Sequence, residues 1–185
     1  MGALGGMNQT NLTHNGAGVV DFSPTFSPDG TKIAYATNGE QSSNSEGDTE
    51  VYRMNAVDGT GKKNLTENGD GIGDYQPAFS PGGEKIAYRS YGEQTSNSQG
   101  DEEIYRMNTL DGSGKKNLSN NRAGADEHSP DFSPSGKRVV YESEGVQTSN
   151  PEGDDEIYRM NVLDGKSKKN LTNNTAQDLY AKWGR

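Results

Sequence analysis

The chain alternates short apolar stretches with long polar ones. Segments such as "KIAYAT", "EVYRM" and "RVVYES" carry β-branched and aromatic residues at strand length and are bounded by Gly, Pro, Asn, Asp or Ser. No segment of useful length has its apolar residues at helical spacing. The pattern predicts strands joined by turns and long polar loops.

The pattern also recurs. Phe26, Phe79 and Phe132 each open an "FSP" and lie 53 residues apart, and Tyr52, Tyr105 and Tyr158 keep that interval. A repeat of roughly 40–50 residues is the mark of a propeller or solenoid. In the second copy, strand a is "QPAFS", strand b "KIAYRS", strand c "EIYRMN" and strand d "KKNLS". Turn residues separate a from b and c from d, and a long loop separates b from c. Four antiparallel strands in sequence make a propeller blade. The class is all-β, with three full blades at approximately 22–74, 75–127 and 128–178. A partial strand d stands at 7–13 and a partial strand a at 178–185, with Trp183 in the Phe position.

Only 28% of the residues are hydrophobic, a composition that leans toward disorder, but the periodicity argues for a folded β protein with polar loops. With no cysteine, neither a disulfide framework nor a thiolate metal site is open to it. No apolar run is long enough to span a bilayer, and the first residues show neither a basic nor an apolar signal region.

Taken together, "FSPDGTKIAY", "EIYRMN", "LDG" and "NLT" resemble the repeat of TolB-like six-bladed β-propellers, over roughly residues 7–185. The resemblance implies blades arranged as sixths of a ring and a periplasmic or extracellular location. Two departures stand out: the b–c loop is longer than the family's, and three blades are present where the fold needs six. Three blades leave interblade faces open, so a homodimer completing the ring is expected, with a small ring built from the partial end strands as the alternative.

Most recurring residues have structural readings. The "SPDG" turn and the "DG" turns at Asp58, Asp111 and Asp164 are turn chemistry, and the repeated tyrosines fill the space between blades. The "N-x-S/T" sequons are strand d of each repeat, and "NGDGIGD" at 68–74 is a turn. His14 and His128 fall at different repeat positions with no nucleophile, zinc or phosphate-loop pattern, and His128 reads as a surface residue in an acidic loop. An enzyme is not expected.

The long b–c loop repeats three polar positions: Asn44, Asn97 and Asn150; Asp48, Asp101 and Asp154; Glu50, Glu103 and Glu156. An Asp and a Glu two residues apart at a strand start share a face, and an Asn four residues earlier completes a set of hard oxygen donors suited to Ca²⁺. The spacing is not that of an EF-hand, and a solvated polar loop fits equally well.

Lysines gather in the a–b and c–d turns, whereas most carboxylates sit in the b–c and d–a loops at the opposite end of the blades. An acidic end repels nucleic acid and anionic membrane and favours cations or a basic protein partner. The expected function is a non-catalytic binding or assembly module stabilised by calcium; the alternatives are a propeller enzyme acting on glycans and a purely structural self-assembling repeat.

Overall fold

A computed structural model of the chain describes residues 9–39, 47–69, 71–91, 97, 100–121, 124–144 and 150–183. Twelve strands form three four-stranded antiparallel sheets, each a simple meander. Blade 1 holds β1 (Asp21–Phe26), β2 (Lys32–Thr37), β3 (Glu50–Asn55) and β4 (Lys63–Asn64). Blade 2 holds β5 (Gly73–Phe79), β6 (Lys85–Tyr91), β7 (Glu102–Asn108) and β8 (Lys116–Asn117). Blade 3 holds β9 (Glu127–Phe132), β10 (Arg138–Ser143), β11 (Glu156–Asn161) and β12 (Lys169–Asn170).

Two element boundaries differ from the sequence pattern. The first strand of blade 2 starts at Gly73, ahead of "QPAFS", because a bulge at Gln76 and Pro77 carries pairing past a residue with no backbone donor. Gln76 has φ 51°, and the residues before the equivalent prolines, Ser23 and Ser129, have φ 52° and 50°. Strand d is reduced to two residues, although the backbone continues in register as Leu65 N–H donates to Val51 O at 2.9 Å and Leu118 N–H to Ile104 O at 2.8 Å.

Each blade has unlike faces, and period-two alternation makes them so. One face presents Phe79, Ile86, Tyr88, Tyr105 and Met107 of blade 2, and these pack onto Ala34, Val51 and Leu65 of blade 1. The next seam repeats the arrangement, with Phe132, Val139, Tyr141, Tyr158 and Met160 of blade 3 against Ala87, Ile104 and Leu118 of blade 2. The tyrosines are cross-strand partners, as Tyr88 faces Tyr105 with ring centroids 5.7 Å apart. Four of the six recurring tyrosines, Tyr88, Tyr105, Tyr141 and Tyr158, therefore fill the seams, while Tyr35 and Tyr52 hold the same place on the outer face of blade 1.

Residues 9–13 and 178–183 form no strand, unlike the partial strands expected there, but both segments lie against a blade. Leu12 packs against the Ile33, Tyr35, Tyr52 and Met54 cluster of blade 1. Asp178 N–H donates to Asp155 O at 2.8 Å, just as Asp74 N–H donates to Thr49 O at 2.7 Å within the row.

The "DG" turns are also seam contacts. A Cβ at Gly112, where φ is +76°, would collide with the carbonyl of Leu65 in the preceding blade, and Gly59 and Gly165 meet Leu12 and Leu118 in the same way. Gly112→Ala is expected to destabilise the fold by about 2 kcal/mol, since both the left-handed backbone and the close approach oppose a side chain. Urea denaturation checks this; an unchanged midpoint would show that the turn is not seated on the neighbouring blade.

Candidate functional site at the acidic ends of the blades

The end of the b–c loop closes by one device in the two copies whose asparagine is described. Asn97 Oδ1 accepts from Gly100 N–H at 3.2 Å, while its Nδ2 donates to Asp101 O at 2.7 Å. Asn150 repeats the bracket with Gly153 N–H at 3.1 Å and Asp154 O at 2.5 Å. The glycine before the aspartate must be left-handed, and Gly47, Gly100 and Gly153 have φ 72°, 72° and 74°. The asparagines thus shape the turn. Asn44 lies outside the described residues.

This turn drives the aspartate inward. Both carboxylate oxygens of Asp101 and of Asp154 are buried with no hydrogen bond of good geometry, the backbone N–H groups of Asp101 and Gly124 lying nearest the first of them, and those of Asp48 are buried at the equivalent place. Burial, then the nearby Asp126, raises the Asp101 pKa above its ordinary value. A buried carboxylate without donors needs a proton or a cation.

Glu50, Glu103 and Glu156 do different work. They stand at the starts of β3, β7 and β11, almost fully buried, and bind the following d strand. Glu50 accepts from the Thr66 hydroxyl and from Asn68 N–H at 2.9 Å. Glu103 accepts from the Ser119 hydroxyl and from Asn121 N–H at 2.8 Å, and Glu156 from the Thr172 hydroxyl and from Asn174 N–H at 2.7 Å. Among the described residues the three predicted donor types therefore have separate partners: asparagine closes the loop, aspartate lies buried beside it, and glutamate turns to the seam.

At the seam each glutamate is linked to an acid of the next blade. The Asn68 amide bonded to Glu50 reaches Asp74 through its side chain, and Asn121 joins Glu103 to Glu127 likewise. Asn15 with Asp21 (2.9 Å) and Asn174 with Asp178 (2.5 Å) extend the series at either end. The sequence carries a signal for these bridges, since Asn15, Asn68, Asn121 and Asn174 also recur at 53 residues. Burial raises Glu50 to about 6 and pushes Asp74 and Glu127 well above the carboxylate range, each neighbouring acid adding to the effect.

Two lysines of the basic turns belong to the seams as well. Lys62 donates to Thr13 O, and Lys168 to Ser119 O and to Asn121 Oδ1 at 2.5 Å. Burial lowers the Lys168 pKa, partly opposed by Glu127 and Glu103.

A third feature breaks the repeat. His128 is no surface residue of an acidic loop; it lies half-buried on β9, and its Nδ1 is 2.7 Å from Glu102 Oε2. Arg89 reaches Glu102 at 2.9 Å and sits 4.4 Å over the Tyr75 ring, which in turn stacks on Phe22. Burial disfavours charge on His128, yet Glu102 holds its pKa above the ordinary value. Beside this group the first strands line a cavity of about 490 Å³, bounded by Ser23, Gln76, Ser129, Asp131, Tyr180 and Trp183.

Three meander sheets stacked through repeated aromatic seams define a β-propeller. A family model of the TolB beta propeller domain matches residues 9–146, and the chain belongs to that family. A putative TolB from Agrobacterium tumefaciens is similar at 24% identity and TM-score 0.62, over 81% of this chain and 45% of that one. Hydrazine synthase from Kuenenia stuttgartiensis is similar at 16% identity and TM-score 0.62, over 86% and 26%. An oligogalacturonate lyase in complex with manganese is similar at 15% identity and TM-score 0.59, over 88% and 44%. The chain thus spans less than half the length of these structures, and the likeness establishes the fold alone. No curated protein matches the chain.

The seam acids set the sign of the pH response. Folded pKa values raised above the unfolded ones give stability that is present at low pH and lost as pH rises. Glu50, raised from 4.5 to about 6, contributes a loss of about 2 kcal/mol across that window, and Asp74 and Glu127 extend the loss above it. With a chelator present, thermal melting is expected at higher temperature at pH 5 than at pH 7.5, and Glu50→Gln should flatten the difference. A melting temperature that rises over this window would show that the seam acids are ionised and paired.

Proposed function

We propose that this propeller segment is a non-catalytic assembly module whose outer faces seat a second copy of the chain. One observation carries this reading: the two outer faces hold opposite halves of the interblade seam. Phe26 is 60% exposed, whereas its equivalents Phe79 and Phe132 are 9% and 5% exposed inside the row. At the other end Leu171 is 44% exposed, against 1% for Leu65 and 2% for Leu118. The bulky face of blade 1 therefore complements the Val140, Ile157 and Leu171 face of blade 3, and two copies joined head to tail twice complete six blades. Residues 178–183 stand where the first strand of an arriving blade would lie, and Leu12 occupies the seat that the arriving Leu171 would take, so docking moves both aside. By family resemblance the assembly works outside the cytoplasm. Its acidic end disfavours nucleic acid and anionic membrane and suits a basic protein surface.

Light scattering on the 185-residue chain is expected to give roughly 40 kDa, twice 19.9 kDa. Leu171→Asp should return it to monomer, and removal of 178–185 should tighten the dimer. A monomer persisting at high concentration would remove the homodimer and assign the two faces to blades of another chain or of a longer one.

The buried aspartates support a second element of the proposal, calcium at the b–c loops. Asp101 and Asp154 offer orphaned carboxylates, and loop carbonyls, Asp126 and water are the remaining oxygen donors of the kind Ca²⁺ takes. Ca²⁺ at a hundred times its Kd should stabilise the protein by about 2.7 kcal/mol per site. The Asp101→Asn, Asp154→Asn double variant should lose most of this response and, having shed two buried charges, melt higher than the parent in chelator. A melting curve indifferent to both calcium and chelator leaves these loops without a metal role.

A further inference from the structure

We infer that blade 3 carries a site for one first-row divalent cation of the zinc class, bound by His128, Glu144 and Asp155. One ligating atom from each of the three lies within 4.8 Å of the others. Bonds of about 2.0–2.2 Å to a tetrahedral ion would draw the three closer still. Glu144 is exposed and able to make that adjustment, while Asp155 is 9% exposed.

The scaffold beneath the three side chains is fixed. His128 is paired in register with Glu142 on β10. Glu144 N–H donates to Asp126 O at 2.8 Å, and Asp155 O accepts from Asp178 N–H at 2.8 Å. Gln177 Nε2 steadies one Asp155 oxygen, Oδ2, at 3.2 Å and leaves the other for a ligand.

The histidine is oriented as a metal-binding imidazole is. Glu102 Oε2 lies 2.7 Å from Nδ1, closer than Arg89 Nη1 at 3.2 Å, so the carboxylate sets Nδ1 as the protonated nitrogen. Nε2 then keeps the lone pair. A carboxylate behind a ligating histidine holds the ring and raises its basicity. Glu102 is here a positioning residue, itself held by Arg89 at 2.9 Å. Arg89 neutralises one of the acids gathered at the seam, which leaves a negative site suited to a dication.

Ligand chemistry selects the ion. An imidazole nitrogen with two carboxylates fits Zn²⁺ and its neighbours, whereas Ca²⁺ and Mg²⁺ prefer oxygen alone. Three protein ligands also leave a fourth position open to water or to a donor group from a partner.

Repeat comparison fixes the stoichiometry. The positions matching His128, Glu144 and Asp155 hold Tyr75, Tyr91 and Glu102 in blade 2, and Phe22, Asn38 and Thr49 in blade 1. Neither set offers a histidine. One ion per chain is therefore expected, independently of calcium at the repeated aspartates.

Titration of the full chain with Zn²⁺ against a chromophoric chelator tests this. One Zn²⁺ per chain is expected, with affinity weakened about tenfold or more by Glu144→Gln and by His128→Gln, and by 10–100-fold in Glu102→Gln. His14→Gln and the Asp101→Asn, Asp154→Asn double variant should bind zinc as the parent does. Glu144 is exposed, so its variant keeps the test valid even if replacing half-buried His128 disturbs folding. No zinc retained by the parent chain, or unchanged affinity in Glu144→Gln, would overturn the site.

Discussion

The structure depends on the packing of one blade's bulky face onto the next blade's smaller one. A single sheet with so few aliphatic residues has no core of its own; its apolar side chains become buried only when a neighbour arrives. Tyr88 and Tyr105 show the economy of this arrangement, because two rings paired across strands cover Ala34 and Val51 of the blade before. Closeness at the seam then restricts everything nearby. Gly112 must lack a side chain because the Leu65 carbonyl approaches it, and Leu65 is held there because its blade is seated. Repeating residues are thus tied to repeating contacts, and the 53-residue period is the imprint of one interface used again and again.

The same packing takes carboxylates out of water. Glu50 and Asp74, and Glu103 and Glu127, meet where the c strand of one blade approaches the first strand of the next. Each pair is joined through an asparagine whose backbone and side-chain N–H groups serve both acids, so the d–a crossover is fastened to two blades at once. Hydroxyl donors from Thr66, Ser119 and Ser143 offset part of the cost of burial. The remainder appears as raised pKa values, and protonation state therefore becomes a property of the seam rather than of the surface.

Period, class and family were legible in the sequence because they are imposed by contacts that recur. The strand order followed from turn residues at fixed offsets, and four of the six tyrosines lie between blades as expected, with Tyr35 and Tyr52 under Leu12 instead. The site was less legible, for a geometric reason. Asp101 and Glu103 are two residues apart, which puts them on one face of an extended strand, but the strand starts only at Glu102. Ahead of it the left-handed Gly100 and the Asn97 bracket turn the chain, and the aspartate takes a direction of its own. His128 was misplaced for a different cause. Its neighbours Asp126 and Glu127 suggest an acidic loop, yet Glu127 is fully buried at a seam and the run is the start of β9.

A chain of near-identical blades serves as its own control. Where the copies agree, the residue answers to a turn or a seam, as with Gly59, Gly112 and Gly165. Where they part at one structural position, no repeated contact is fixing the choice. Three such positions lie together at the acidic ends of the strands: Phe22, Tyr75 and His128; Ala36, Arg89 and Glu142; Thr49, Glu102 and Asp155. They touch one another across blades, from the Phe22–Tyr75 stack through Arg89 to Glu102 and His128. Stacked sheets bring equivalent positions side by side, so a scaffold repeated for stability can present a different side chain from every blade at one place. Chemistry built this way need not repeat even though every strand that supports it does.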